Sequence, residues 1–192
     1  MEPLETFNEI LMKNNKKKIL AISGSTRRNS SNEFILNFIA ERYGDTMNLE
    51  LYAGIDLLPH FNPDLDQADV PPVVEEFRNK ISGADGVLFC TPEYVFSLPG
   101  SLKNAIEWTV STTVFTDKPT AYIIASASGE AAFASLDLIL TTLQARIGQN
   151  SRLLIQGVKG KVGKSGLITD QGTLNELDRV AKSLLDTMLR HS

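Results

Sequence analysis

At 192 residues the chain is long enough for one domain with a sizeable core. Nineteen basic residues against 23 acidic ones give a formal net charge of -4 with no basic stripe, which argues against nucleic acid and anionic membrane as partners. A single cysteine, Cys90, excludes an intrachain disulfide and any multi-cysteine zinc or iron–sulfur centre, and fits a reducing cytoplasm.

The stretch 1–15 carries acids and lacks the apolar core of a signal peptide. Leu4, Phe7, Ile10 and Leu11 recur at helical spacing within it, so it reads as an N-terminal extension ahead of a domain over 16–192. No apolar run approaches membrane-spanning length, and a cytoplasmic protein without a membrane segment is expected.

The domain opens with Ile19 to Ile22, a short apolar run of the kind that forms a strand buried on both faces. The run stops in a loop of Ser, Gly, Thr, Asn and Arg. Phe34, Ile35, Phe38 and Ile39 then recur at helical spacing, so a helix starts near Ser31 or Asn32, both good N-cap residues. Strand, small polar loop and helix N-terminus aim backbone N–H groups and the positive end of a helix dipole at one spot, which suits a phosphate. Ser25, Thr26, Ser30 and Ser31 add hydroxyls, and Arg27 adds a charged fork for phosphate oxygens. A dinucleotide fingerprint would need further glycines beside Gly24, and a triphosphate loop would end in Gly-Lys-Ser rather than Ser-Ser-Asn. The alternative is a solvated turn that binds nothing.

Asn48 to Tyr52 reads as a second strand, and Gly54 to Val70 as a long connection of the functional or subunit-bridging kind. A helix is predicted from Pro71-Pro72 to about Ser82, and a third strand over Asp85 to Thr91. Further helices are expected at Gly100 to about Val110, Ala131 to about Arg146, and Leu174 to Leu189, with strands at Thr120 to Ser126 and Arg152 to Gln156. Gly157 to Gly166 reads as a flexible loop, in which Gly163-Lys164-Ser165 mimics a triphosphate loop without its earlier glycine in register. Strands that alternate with helices give an α/β domain with a parallel sheet. In such a sheet ligands bind beyond the carboxyl ends of the strands. A 2-1-3-4-5 order would bring the Ser/Arg loop together with Thr91–Gly100 and Ser126–Glu130.

Two stretches carry a resemblance. Gly24-Ser25-Thr26-Arg27-Arg28-Asn29-Ser30-Ser31-Asn32 resembles the G-S-x-R-x-x-S-x-N loop of the NADPH-dependent FMN reductase family. Pro92-Glu93-Tyr94-Val95-Phe96-Ser97-Leu98-Pro99-Gly100-Ser101-Leu102-Lys103-Asn104-Ala105-Ile106-Glu107-Trp108 resembles that family's P-E-Y-N-x-S-x-P-G-x-L-K-N-A-I-D-W stretch. The resemblance runs from about Lys17 to the last helix and weakens at Gly157 to Gly166. It implies a flavodoxin-like three-layer sandwich around a five-stranded parallel sheet of order 2-1-3-4-5.

It further implies that Ser25, Arg27, Ser30, Ser31 and Asn32 hold the FMN phosphate. Pro92, Glu93, Tyr94 and Val95 would line the isoalloxazine, largely through backbone groups, while Ser126, Ser128 and Gly129 approach its other edge. The family has Asn where this chain has Val95, which opens redox tuning or substrate choice to change. A homodimer or homotetramer is implied, with Tyr94, Phe96 and the Gly54–Val70 loop as interface pieces.

The implied activity is FMN-dependent and ping-pong. NADPH or NADH passes hydride to the flavin, which then reduces a quinone, an azo compound, free flavin or a metal oxyanion. Because the cofactor carries the redox chemistry, no side chain is assigned a catalytic proton-transfer role. Two other classes stay open: a non-enzymatic electron carrier like flavodoxin, and a flavin-binding regulatory protein that has lost turnover. The remaining candidates read as structural. Cys90 lies in an apolar strand, Trp108 on a helix, and His60 and His191 stand apart from any metal-ligand cluster.

Overall fold

The computed structural model describes residues 16–67, 69–163 and 165–190. The expected N-terminal helix, Lys164 of the triphosphate-loop mimic, and His191 lie outside them. Five parallel strands, β1 (Lys17–Ser23), β2 (Met47–Tyr52), β3 (Gly86–Thr91), β4 (Pro119–Ala125) and β5 (Arg146–Ile155), form one sheet in the order β2-β1-β3-β4-β5. Five helices connect and follow them: α1 (Ser31–Arg42), α2 (Pro72–Gly83), α3 (Gly100–Glu107), α4 (Glu130–Thr142) and α5 (Gln171–Leu189).

Strand side chains alternate between two apolar layers, as the two-residue period of a strand requires. Leu20, Ile22, Val87, Phe89, Tyr122 and Ile124 face α2, α3 and α4, meeting Phe77, Ile81, Leu102, Ile106, Trp108, Leu136 and Leu140. Ile19, Ala21, Leu88, Cys90, Ile123 and Leu153 face the other way, onto Ile35, Leu36 and Ile39 of α1 and Leu177, Val180 and Leu184 of α5. Helices on both faces are the reason the central strands read as unbroken apolar runs.

Element ends move where local chemistry overrides spacing. The α1 helix is capped by Ser30, whose hydroxyl accepts the Glu33 N–H at 3.1 Å, rather than by Ser31 or Asn32. The apolar spacing through Leu143 and Ile147 predicts a longer α4, yet the helix stops at Thr142. Gln144 adopts φ 60°, Ala145 N–H reaches the Leu140 carbonyl at 2.9 Å and Gln144 N–H that of Thr141 at 3.0 Å, a left-handed C-terminal stop. Leu143 and Ile147 still pack on the core beside α4, which is why they mimic a continuing helix.

The chain then enters β5 at Arg146, not at Arg152. Opposite Thr120 and Tyr122 the partners jump from Ile147 to Arg152, so the polar run 148–151 is accommodated as an irregularity inside the strand. Helix α3 likewise ends at Glu107 rather than Val110, tightening into turns in which Thr109 N–H bonds the Ile106 carbonyl at 2.9 Å.

Candidate functional site

Strand order reverses direction between β1 and β3, and there the carboxyl ends of β1, β3 and β4 open into a cavity of about 430 Å³. Ser25, Arg27, Ser30, Ser31 and Asn32 line one end. Pro92, Glu93 and Tyr94 form a wall after β3, and Ala125, Ser126 and Ala127 continue it after β4. Gly157, Val158 and Lys159, the turn after β5, complete the lining.

The loop after β1 is folded by its own small polar groups. Gly24 N–H bonds the Cys90 carbonyl at 2.9 Å, and a β-carbon at Gly24 would fall inside the Thr91 side chain, so only glycine fits between the two strand ends. Ser23 Oγ accepts the Ser25 N–H at 3.2 Å, and Ser25 Oγ accepts the Arg27 N–H at 3.3 Å. Asn29 takes φ 54°, and its N–H donates to the Glu33 carboxylate at 2.8 Å. Ser30 and Glu33 thus secure the entry to α1 together, the hydroxyl holding the Glu33 N–H and the carboxylate the Asn29 N–H.

The first amides of α1, those of Ser31 and Asn32, precede the first intrahelical bond, from Phe34 N–H to the Ser30 carbonyl. They belong to two residues that line the cavity, at the positive end of the helix dipole. Arg27 is exposed and its guanidinium makes no ion pair among the described residues. It also borders a second cavity of about 240 Å³ at the end of β2, shared with Ser25, Thr26 and Arg28.

Asn32 is deeply buried, and its Oδ1 accepts the Cys90 thiol at 3.4 Å, so its side-chain oxygen ties α1 to β3. Burial pushes the Cys90 thiol well above its ordinary range, which keeps it protonated and inert.

Glu93 is the keystone of the opposite wall. Its carboxylate accepts N–H groups from Gly129 at 3.2 Å and Ala132 at 2.9 Å, capping α4, whose N-cap glycine offers no side chain. The Glu93 N–H donates in turn to Ser126 Oγ at 3.2 Å. With both oxygens committed to backbone amides, Glu93 is a positioning group rather than an acid–base one.

The matches with known proteins follow this geometry. The family model for NADPH-dependent FMN reductase matches residues 17–159, the whole span from β1 to the last turn of the cavity. The chain belongs to that family. A NADH-dependent flavin reductase subunit 2 from Lactobacillus johnsonii is 37% identical over 172 residues, spanning 84% of this chain and 91% of the relative. A quinone reductase from Escherichia coli K12 is 30% identical over 172 residues, 84% and 90% of the two chains. Among solved structures, the NAD(P)H:(acceptor) oxidoreductase FerB from Paracoccus denitrificans superposes with a TM-score of 0.80 at 29% identity, covering 91% of this chain and 98% of that one.

Within this FMN reductase, nine of the twelve residues singled out by sequence line the cavity: Ser25, Arg27, Ser30, Ser31, Asn32, Pro92, Glu93, Tyr94 and Ser126. Val95, Ser128 and Gly129 do not. Val95 is turned out at the tip of a tight turn and is 95% exposed. Ser128 is exposed beyond the β4 end, and Gly129 aims its N–H at Glu93 with φ 107°, a conformation reserved for glycine. The stretch 157–166 reads from sequence as a flexible loop flanking a neighbour's cofactor, whereas Gly157, Val158 and Lys159 line this chain's own cavity. The general rule for parallel sheets pointed to them, because they follow the carboxyl end of β5 as the other lining loops follow theirs. Val158 N–H bonds the Ser126 carbonyl and Gly157 N–H that of Ala127, both at 3.1 Å, so this turn is tied to the β4 wall.

Proposed function

We propose that this reductase oxidises NADPH or NADH through FMN held in the cavity between the Ser25–Asn32 loop and the Pro92–Tyr94 wall, and delivers the electrons to a small conjugated acceptor, a quinone or a free flavin. The observation that carries this reading is the convergence of a helix N-terminus, the cationic Arg27 and Lys159, and a wall braced by Glu93 in one cavity. Its volume of about 430 Å³ lies within the ~300–1,000 Å³ usual for cofactor sites.

The residues fit the group. Arg27 and Lys159 supply positive charge at the lining, and the Ser31 and Asn32 amides with the Ser25 and Ser31 hydroxyls supply donors for phosphate oxygens. Ser30 has given its acceptor to the helix cap and keeps its O–H to donate. Pro92 and Tyr94 present the wall for the ring system, held in place by the Glu93 bonds to α4. FMN, when bound, supplies the hydride chemistry. The chain supplies position: it fixes the phosphate, aligns the wall and leaves Tyr94 half exposed at the mouth. Glu93 is engaged by amides and Cys90 is sealed in the core, so this reading gives neither a proton-transfer role.

The relatives' named substrates, flavin, quinone and (hydroxy)cinnamate, are planar conjugated molecules, which supports an acceptor of that class here. A homodimer or homotetramer in the cytoplasm is part of the same reading. Exposed Leu57 and Leu65 on the connection after β2 support a subunit contact, and light scattering on the purified protein tests it. No helix among the described residues is long and apolar enough to cross a membrane.

The test of function is steady-state NADPH and NADH oxidation with added FMN and a benzoquinone. Turnover that saturates in both substrates is expected. Bound flavin with no catalytic nicotinamide oxidation would overturn the enzyme reading in favour of a carrier.

A further inference from the structure

Another cavity of about 430 Å³ opens between the start of β5 and the last turns of α5, and it shares no lining residue with the flavin cavity. Arg146 pairs with Pro119 and Ile155 with Ala125, so the length of β4, about 20 Å, separates the two sites. Four cationic side chains line this cleft: Arg146 from β5, and Arg179, Lys182 and Arg190 from α5. Asp186 is its one carboxylate. In a chain of net charge -4 that is a strong local excess of positive charge.

Structural roles account for only part of it. Arg190 follows the last turn of α5, where a cation suits the helix dipole. Arg179 bonds Glu176, and Arg146 stands 3.6 Å from an exposed Asp117. Lys182 has no such role. It lies two turns before the helix end and makes no ion pair among the described residues. The nearby Asp178 carboxylate is taken up by Arg42.

The floor of the cleft adds a neutral donor. Ser151 is fully buried, and among the described residues its hydroxyl meets only that of Ser183, at 3.0 Å. A sealed O–H without an acceptor is costly, so Ser151 donates and Ser183 accepts. The Ser183 O–H is thereby free to donate into the cleft among the cations. Gly148 permits this close packing, since a β-carbon there would fall 2.8 Å from both hydroxyl oxygens.

We propose that this cleft is a second ligand site, for a phosphorylated small molecule of nucleotide size. Arginine forks and a lysine suit phosphate oxygens, and cations on both walls suit a diphosphate rather than a single charge. The volume lies within the ~300–1,000 Å³ of small-molecule sites, far more than one inorganic ion fills. The inference stands apart from the reductase reading.

The experiment measures binding of labelled ADP by equilibrium dialysis, on protein saturated with FMN so that the flavin cavity is filled. Adenosine is the uncharged control. One ADP per chain is expected, with no adenosine retained. Lys182→Gln combined with Arg190→Gln should weaken ADP at least about tenfold, the loss of charged bonds to phosphate. Both side chains are exposed, so the melting temperature and FMN affinity should hold. Asp186→Asn removes the one carboxylate and should tighten ADP about two- to fivefold, a gain that a damaged fold cannot produce. No bound ADP at millimolar concentration would overturn the proposal. So would an ADP affinity unchanged across the parent and both variants, or adenosine bound as well as ADP.

Discussion

Asn104 commits both ends of its side-chain amide to the long connection after β2. Its Oδ1 accepts the Phe61 N–H at 2.8 Å, and its Nδ2 donates to the Pro59 carbonyl at 2.9 Å. Trp108 shares that carbonyl through its indole N–H at 2.7 Å and meets the Phe61 ring edge-on, centroids 5.1 Å apart. Two residues of the K-N-A-I-E-W stretch thus help pin the middle of this loop to α3 and the turn after it. Asn104→Ala leaves the Phe61 amide without its partner and should cost about 1–3 kcal/mol in urea unfolding. No change would contradict this account of the loop. Arg27→Ala removes the charge proposed to meet the phosphate and should weaken FMN binding by about 1.5–3 kcal/mol, roughly 10- to 150-fold in Kd, read by fluorescence titration. The residue types at these positions were legible in the sequence; the partners of Asn104 and Glu93 were not. Spacing tells which face a side chain occupies, whereas a bond to a carbonyl 45 positions away depends on the path of the intervening loop.

Between elements, α1 and α5 are tied by Arg42 and Asp178, whose fork-to-carboxylate bonds measure 2.6 and 2.8 Å. Tyr43 adds a bond to the same carboxylate at 3.1 Å, and burial first, then that bond, raises its phenol to about 12. The Arg42 hydrogen bond holds the Asp178 carboxyl below the ordinary carboxylate range. A group lowered on folding contributes stability above its unfolded value and loses it as pH falls through the folded one. Asp178→Asn should therefore lower the melting temperature at neutral pH and flatten the acid side of the stability profile. Equal losses at neutral and strongly acidic pH would contradict the linkage. Asp66 behaves alike. Burial would raise its carboxyl, but bonds from Arg78 and Ser111 outweigh this and lower it, anchoring the far end of the same long connection to α2. At this scale the helices and central strands were plain in the apolar periodicity. The end of α4 and the start of β5 were hidden, because a left-handed Gln144 and a polar run inside a strand have no periodic signature.

For the whole molecule, the order β2-β1-β3-β4-β5 sets the site. It brings four loops that are far apart in sequence to the carboxyl edge of one sheet, around the point where strand order reverses. Three of the four were legible, because each follows an apolar strand and carries small or hydrogen-bonding residues. Lys159 was missed because 157–166 reads as a flexible loop, although the carboxyl end of the strand before it was placed within one residue. Gly24 marks how close this edge is packed: Gly24→Ala puts a methyl into Thr91 and should cost about 1–3 kcal/mol in overpacking, with a weakened FMN site, measured by thermal melts and flavin titration. Wild-type stability in that variant would contradict the packing at the β1–β3 junction.

The central claim meets its most direct test in the visible absorption spectrum of the protein, loaded with FMN, desalted and titrated with NADPH or NADH under anaerobic conditions. The account predicts flavin bands that stay with the protein and bleach on addition of reduced nicotinamide. A protein that binds no FMN on titration, or whose bound flavin neither nucleotide can bleach, would contradict it.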